Sequence, residues 1–349
     1  MSFPVYQVTQ YKNYSAQEEI HQDNGIRNKS HWYMLTRFSL GVQRIKRIIG
    51  DHSEKSVKKN TGPGQGMFTK FIYRLPLHGR IMNLTLKQKI LTKCEELDIP
   101  LVGFAPVRRW DKPLFEPWIP EEFRPRSIFP ETRTVIVIGF PVSLPIVETS
   151  PSIYYHELYR TVNTLLDMSG YRISLFLNAK GFPSIWIPRD GYGSISLLKE
   201  KPMSFFSHRH AAFLAGMGNF GINNMLLTRN FGPRVRFASI FTAADIPPDP
   251  LMESSLCTKC MQCVDICPVK ALDGREYPEG MTDKKTCAIR SEALYKRYIS
   301  PCGFCIKVCP IGEDRTLYQS EDPRIYDEGD TAFDHYHRAW KHVRSYGGR

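Results

Sequence analysis

Eight of the nine cysteines of this 349-residue chain lie in one short stretch, between Cys257 and Cys309. The thiolate is the metal-binding form of cysteine, and a late cluster of cysteines in a long chain favours a metal site. The ninth, Cys94, falls on the apolar face of a predicted helix and is interpreted as a small buried core residue. The stretch therefore predicts a metal centre in a reducing compartment.

The spacing within the stretch specifies the kind of metal centre. Its first four cysteines follow C-x2-C-x2-C-x3-C-P, a run that bacterial ferredoxins use for 4Fe–4S clusters, and a second Cys-Pro ends the stretch. The three closely spaced thiolates bind one cluster. The fourth cysteine is expected to start a short helix and to bind the other cluster. The prediction is two 4Fe–4S clusters, one held by Cys257, Cys260, Cys263 and Cys309 and the other by Cys267, Cys287, Cys302 and Cys305.

Zinc and disulfide bonds are the alternatives. Zinc prefers paired C-x2-C knuckles with four ligands per ion, which leaves both Cys-Pro endings unexplained. A disulfide framework is typical of shorter secreted chains that follow a signal peptide, and the first 30 residues lack the pattern of one. Cys287 follows and precedes long gaps, so it is the least regular of the eight cysteines.

The residues ahead of the cysteines must position any substrate or further cofactor. Short apolar runs predict strands over 101–104, 134–140, 184–187 and 237–241. Helical periodicity predicts helices over 84–97, 154–177 and 210–214, the second of them interrupted near Ser169 and Gly170. Helices that alternate with apolar strands indicate an α/β layer.

Three glycines, Gly216, Gly218 and Gly221, resemble a dinucleotide-binding pattern. A helix precedes them where that site requires a strand, which argues against a dinucleotide fold. We interpret them instead as places where the backbone closely approaches a flat cofactor or a neighbouring helix.

Histidines and arginines flank these glycines. His208 and His210 are two residues apart on a predicted helix, so they diverge, and at most one of them faces a given site. Arg234 and Arg236 flank Val235 before a strand, and one of them is expected to point inward, where it needs an anionic partner such as a carboxylate or a phosphate. Arg209 is expected to be solvated.

The net charge of +12, from 47 Lys and Arg against 35 Asp and Glu, is unevenly placed. Residues 1–81 hold thirteen Lys and Arg against five Asp and Glu, and they are interpreted as a flexible basic appendage or an upstream extension of the reading frame. The basic, aromatic C-terminal tail either binds nucleic-acid strands or caps the fold. The predicted domains are 1–81, 82–250 (α/β, cofactor-binding), 251–315 (double cluster) and 316–349 (tail).

Residues 215–242, together with the eight cysteines, resemble the epoxyqueuosine reductases and the cobalamin-dependent reductive dehalogenases. Residues 101–106, 134–139 and 154–157 extend the resemblance upstream. It implies a nitroreductase-like α/β layer followed by a bacterial-type double-cluster ferredoxin domain. It also implies cobalamin between the two, with clusters that feed electrons to cobalt and an acid that protonates the substrate. The cofactor-binding residues it suggests are Ser207, His208, His210, Gly216, Gly218, Gly221 and Arg234.

The acid itself departs from the family pattern. Gapless matching from Gly218 places Pro202 where epoxyqueuosine reductases have an aspartate. Asp190 is one candidate for the missing acid. Tyr154 or Tyr155 is another, by resemblance to the phenolic proton donor of dehalogenases. Residues 1–40 lack the Arg-Arg pair of an export signal, which favours a cytoplasmic protein.

The first functional hypothesis is a cytoplasmic reductase that passes electrons through two clusters to a corrinoid and then to an oxidised organic substrate. The alternative is an electron-transfer or activation factor that reduces the metal centre of a partner protein. Either needs an electron donor of the ferredoxin or flavodoxin type. The basic surface is compatible with a tRNA or protein substrate. The sequence contains no stretch of about 20 apolar residues, so it predicts no membrane-spanning helix.

Overall fold

The computed structural model describes residues 85–111, 119–191, 193–201 and 203–346. The predicted appendage 1–81 and Pro202 lie outside these residues. The strands are β1 (Leu101–Pro106), β2 (Thr134–Pro141), β3 (Ser184–Ile187), β4 (Asn219–Phe220), β5 (Leu226–Leu227) and β6 (Val235–Thr242). The α-helices are α1 (Leu86–Glu96), α2 (Pro125–Ile128), α3 (Leu144–Glu148), α4 (Ile153–Asn178), α5 (Ile195–Glu200), α6 (His208–Leu214), α7 (Gln262–Asp265), α8 (Lys284–Tyr295), α9 (Phe304–Lys307), α10 (Asp314–Leu317) and α11 (Asp334–Arg344). Short 3₁₀ helices span Val107–Trp110, Glu121–Phe123, Pro323–Tyr326 and Thr331–Phe333.

A four-stranded sheet forms the centre of the fold, in the order β1-β2-β6-β3, with every neighbouring pair antiparallel. Successive residues of β2 point to opposite faces, so Ile136 and Ile138 join the core that contains Leu166 of α4. Val135 and Val137 join the core on the other face, which α6 covers. Because both faces are buried, the central strands are continuous apolar runs. The four predicted strands and the mixed α/β character are confirmed.

Helix α4 runs without a break from Ile153 to Asn178, so the predicted interruption near Ser169 and Gly170 is wrong. Both residues are buried, and a Cβ built on Gly170 would lie 3.5 Å from Trp186 of β3. Small residues at this point let the helix pack closely on the sheet. Ser169 and Gly170 therefore meet a packing requirement and do not mark the end of a helix.

A buried arginine joins the sheet to the cysteine-rich stretch. Arg234, which directly precedes β6, is fully buried, and its guanidinium pairs with Asp314 at 2.6 Å. Its remaining N–H groups donate to the backbone oxygens of Ile306, Cys309 and Ile311. The expectation of one inward arginine with an anionic partner is confirmed, and that partner is a carboxylate of the chain itself. Any part that Arg234 plays in cofactor binding is therefore indirect.

The C-terminal helix α11 lies against the body of the protein. Trp340 is buried beside Tyr326, and Arg344 donates from Nε to the backbone oxygen of Thr149 at 2.9 Å. These contacts fit the capping interpretation of the tail. All described residues belong to one compact unit, and the boundaries at 250 and 315 stay predictions. No helix within the described ranges is long and apolar enough to cross a membrane.

The buried pair gives a stability test. We expect Asp314→Asn to lower the free energy of unfolding by about 3–5 kcal/mol, because it leaves the Arg234 charge buried without its partner. Glu157→Gln is the matched control, since the Glu157–Arg160 pair is exposed and worth about 0–1 kcal/mol. Denaturant unfolding under anoxic conditions measures both, and equal losses would contradict the role of the pair.

Candidate functional site

The first set of cysteines surrounds a cavity. Cys257, Cys260, Cys263 and Cys309 line it together with residues of the glycine segment such as Gly221. Lys259 and Met261 have positive φ angles of 56° and 62°, which curl the loop around this space. Within the described segments, no three His, Cys, Asp or Glu side chains converge tightly enough to hold a single metal ion.

The thiols of this set lie close enough to influence one another. Burial first, and then the neighbouring thiols of Cys309, Cys260 and Cys257, raise the pKa of Cys263 to about 12. Metal ligation requires the deprotonated form, so metal uptake here would release protons. Cys309 is buried, whereas Cys260 is exposed at the surface.

The cysteines predicted to form the second set also influence one another. Burial first, and then Cys287 and Cys302, raise the pKa of the Cys305 thiol far above its usual range, and Cys263 and Cys267 add to the effect. Cys287, the least regular of the eight, lies on α8 and has Cys302 and Cys267 as its thiol neighbours. The influence of Cys263 on Cys305 shows that the two sets are adjacent.

The helices near the Cys-Pro pairs differ from the prediction. The cysteine before the proline of each run is expected to start a short helix, but α7 ends before Cys267 and α9 ends before Cys309. A residue before proline is disfavoured in the helical conformation, so Pro268 and Pro310 require the chain to leave the helix at this point. At each Cys-Pro pair the chain therefore leaves the helix that carries the preceding cysteine.

A group of polar side chains, here called the polar cluster, consists of Tyr159, Asp190, His208 and Arg236. The Arg236 guanidinium lies 3.9 Å from the Tyr159 ring centroid and donates to Asp190 Oδ1 at 3.0 Å. Asp190 also accepts from Asn163 at 3.4 Å. Burial raises the pKa of Tyr159 while the nearby Arg236 lowers it, so the phenol keeps its proton at neutral pH.

Of the predicted acids, Asp190 belongs to the polar cluster, and the two tyrosines separate. Tyr154 is 53% exposed, whereas Tyr155 is buried, close to Tyr159 and to the Cys302 and Cys305 thiols. Burial raises the pKa of Tyr155 well above its usual range. Sequence reasoning missed Tyr159, although its place four residues after Tyr155 on a predicted helix puts both on one face.

The two histidines diverge, as predicted. His208 Nε2 donates to the backbone oxygen of Pro188 at 3.0 Å, so Nδ1 accepts from Ser239, and burial lowers the pKa of His208 to about 4. His210 contacts the Ser207 hydroxyl at 2.6 Å and the Tyr277 hydroxyl at 2.5 Å, and burial lowers its pKa to about 3. Both rings are therefore neutral at pH 7, and only His208 belongs to the polar cluster.

Arg209 is exposed at the surface, as the sequence predicts. Its Nη1 donates to the backbone oxygen of Asn224 at 2.5 Å, and its titratable neighbours include Arg236, Tyr159 and Cys305. Arg209 thus lies between the polar cluster and the second set of cysteines.

The glycines allow the backbone to approach its surroundings closely. The surroundings are neighbouring chain segments and not a helix. A Cβ on Gly216 would lie 1.9 Å from the backbone oxygen of Pro250, and one on Gly218 would lie 1.9 Å from that of Leu227. Gly216 also has a φ of +72°. These contacts hold the segment that ends in Gly221 against the first set of cysteines.

A glycine substitution tests this packing. We expect Gly218→Ala to lower the free energy of unfolding by about 1–3 kcal/mol or more, because the added methyl overlaps the backbone of Leu227. Gly170→Ala, which meets no atom closer than 3.5 Å in a continuous helix, should stabilise by up to about 1 kcal/mol. Unfolding curves measure both changes; a harmless Gly218→Ala would contradict the close approach.

Residues 252–273 match the 4Fe-4S binding domain family. A tetrachloroethene reductive dehalogenase from Desulfitobacterium hafniense is 26% identical over 193 residues, which are 51% of this chain and 32% of that protein. An epoxyqueuosine reductase from Bacillus cereus is 26% identical over 263 residues, which are 64% of each protein. The solved epoxyqueuosine reductase from Streptococcus thermophilus is 19% identical, with a TM-score of 0.44 over 65% of this chain and 66% of that one.

The chain spans about a third of the length of the dehalogenase relatives that it matches. The matched family segment contains the first four cysteines of the predicted cluster region. The sequence resemblance to both groups of reductases is confirmed by these relatives. The chain therefore carries a 4Fe–4S binding domain and is a homologue of proteins named epoxyqueuosine reductase and tetrachloroethene reductive dehalogenase.

Proposed function

We propose that the chain is an iron–sulfur reductase with two 4Fe–4S clusters. The observation that carries the proposal is the division of the eight late cysteines into two adjacent sets of four. Cys257, Cys260, Cys263 and Cys309 would hold the first cluster, and Cys267, Cys287, Cys302 and Cys305 the second. Four thiolates for each cube match the ligand number of a 4Fe–4S cluster. The positive charge of iron would offset the cost of holding thiolates at buried positions.

The second cluster would face the polar cluster, where the substrate would be reduced. Cys305 lies near Tyr155 and Arg209, and Tyr155 contacts Tyr159 of the polar cluster with ring centroids 6.3 Å apart. The first cluster, with Cys260 exposed, would receive electrons from a ferredoxin- or flavodoxin-type donor. Electrons would thus pass from the surface through both clusters to an acceptor bound beside the polar cluster.

We further propose that a corrinoid binds beside the polar cluster within a nitroreductase-like layer. The residues fit such a group, because Arg236 and Arg209 supply hydrogen-bond donors, Tyr159 supplies an aromatic face, and all three are at least partly exposed to solvent. When bound, a corrinoid supplies one- and two-electron chemistry at cobalt, which the protein side chains do not provide. The substrate is an oxidised organic group.

Within this arrangement the protonated Tyr159 would donate a proton to the reduced substrate. Arg236, stacked on its ring, would hold the phenol in place and stabilise the phenolate that forms. Asp190 accepts from Arg236 and lies 3.6 Å from Arg189, so its two oxygens are engaged by two guanidinium groups. A carboxyl group engaged in this way is poorly placed to reach a substrate, which favours Tyr159 over Asp190.

Iron content tests the two-cluster assignment. Anoxically reconstituted protein should bind about eight irons, and Cys287→Ser should bind fewer, about four to seven, because one cube loses a thiolate. Cys94→Ala is the control, since Cys94 is a core residue with 2% exposure, and it should keep the full iron content. Stoichiometric zinc, or full iron content in Cys287→Ser, would contradict the assignment.

Corrinoid binding is tested separately by anoxic titration of the reconstituted protein with hydroxocobalamin. We expect the corrinoid absorption bands to shift on binding and Arg236→Ala to weaken the affinity about tenfold or more, because it removes a charged donor. Arg172→Ala, an exposed arginine on α4, should leave the affinity unchanged. Unchanged bands with fully assembled clusters would leave the alternative, a factor that passes electrons to a partner protein.

A further inference from the structure

Helix α8 presents two functional groups to the second set of cysteines. Cys287 and Arg290 lie three residues apart, so they share one face of the helix. The Arg290 Nε lies 3.3 Å from Cys302 Sγ and donates a hydrogen bond to it. The helix therefore contributes one proposed ligand and one charged donor to a second ligand.

The Arg290 guanidinium is held in place by its surroundings. It lies 5.8 Å from the ring centroid of Phe304, the residue between Cys302 and Cys305 that starts α9. Its side chain also lines a surface groove with Thr286 and Ala293 of the same helix. A side chain fixed in this way keeps its charge at a constant distance from the sulfur.

The charge of Arg290 is not compensated by a carboxylate. In the part of the chain that the structure describes, no salt bridge involves Arg290, whereas Arg234 near Cys309 of the first set is paired with Asp314 at 2.6 Å. Hydrogen bonds to the sulfurs and the net charge around a cluster are two of the properties that set its reduction potential. A cation that donates to a thiolate stabilises the reduced cluster, which carries one more negative charge.

We propose that Arg290 raises the reduction potential of the second cluster and so draws the electron towards the polar cluster. The inference rests on the proposed function, because it assumes that Cys302 ligates that cluster. One electron leaves the reduced first cluster, which becomes oxidised, and enters the oxidised second cluster, which becomes reduced. No bond is formed and no proton moves, and the ferredoxin- or flavodoxin-type donor replaces the electron.

A redox titration of the anoxically reconstituted full chain, followed by electron paramagnetic resonance, tests the proposal. The signal that changes in Cys287→Ser identifies the second cluster. In Arg290→Gln, we expect the ratio of reduced to oxidised second cluster at a fixed potential to fall about tenfold, because the variant loses a charge and a donor that favour the more negative, reduced cluster. Arg290→Lys keeps the charge but loses the fixed Nε donor. Its ratio of reduced to oxidised second cluster should lie between those of the unsubstituted protein and Arg290→Gln.

Arg297→Gln is the matched control, because Arg297 lines the same groove just beyond the end of α8 and its substitution should leave the ratio unchanged. Full iron content with an unchanged potential in Arg290→Gln would overturn the inference while the two-cluster assignment stands. So would an equal shift in Arg297→Gln, or loss of iron from both Arg290 variants, which would indicate a structural role only. Absence of a second cluster from the unsubstituted protein would instead contradict the proposed function.

Discussion

The arrangement of the whole site depends on the buried guanidinium of Arg234. It is fully buried, and its bidentate pair with Asp314 neutralises a charge that would otherwise be costly in the interior. Its other donors satisfy backbone oxygens around Cys309. The strand that follows, β6, carries Arg236, so one short segment fixes both the cysteine loop and the polar cluster.

This coupling explains how a small cluster-binding stretch is positioned against a sheet. The segment 308–311, which follows α9, has no helix or strand of its own, so its position depends on the bonds to Arg234. Arg315 strengthens the connection, because it donates to the Cys309 oxygen and lies 3.6 Å from Glu148 of α3. The sheet therefore orients the proposed second cluster towards Tyr155 and Tyr159. Electron and proton supply would then meet at one place.

Local patterns were sufficient to predict part of this structure. The strands were predictable because two-sided burial leaves continuous apolar runs, and the 4Fe–4S binding domain because its first four cysteines follow a short, regular spacing. Long-range contacts were not predictable. Gly170 looks like a helix break until Trp186 is placed against it. Asp314, the partner of Arg234, lies 80 residues further along the chain.

The exposure of Cys260 has a consequence for how the protein is handled. The proposed first cluster would face water at Cys260, while Cys309 of the same cluster is buried. Dissolved dioxygen would reach the Cys260 side first, so damage would begin at the first cluster and spare the second. Material prepared in air would then hold a single surviving cube that no external donor can reach efficiently, and it would look inactive although its fold is intact.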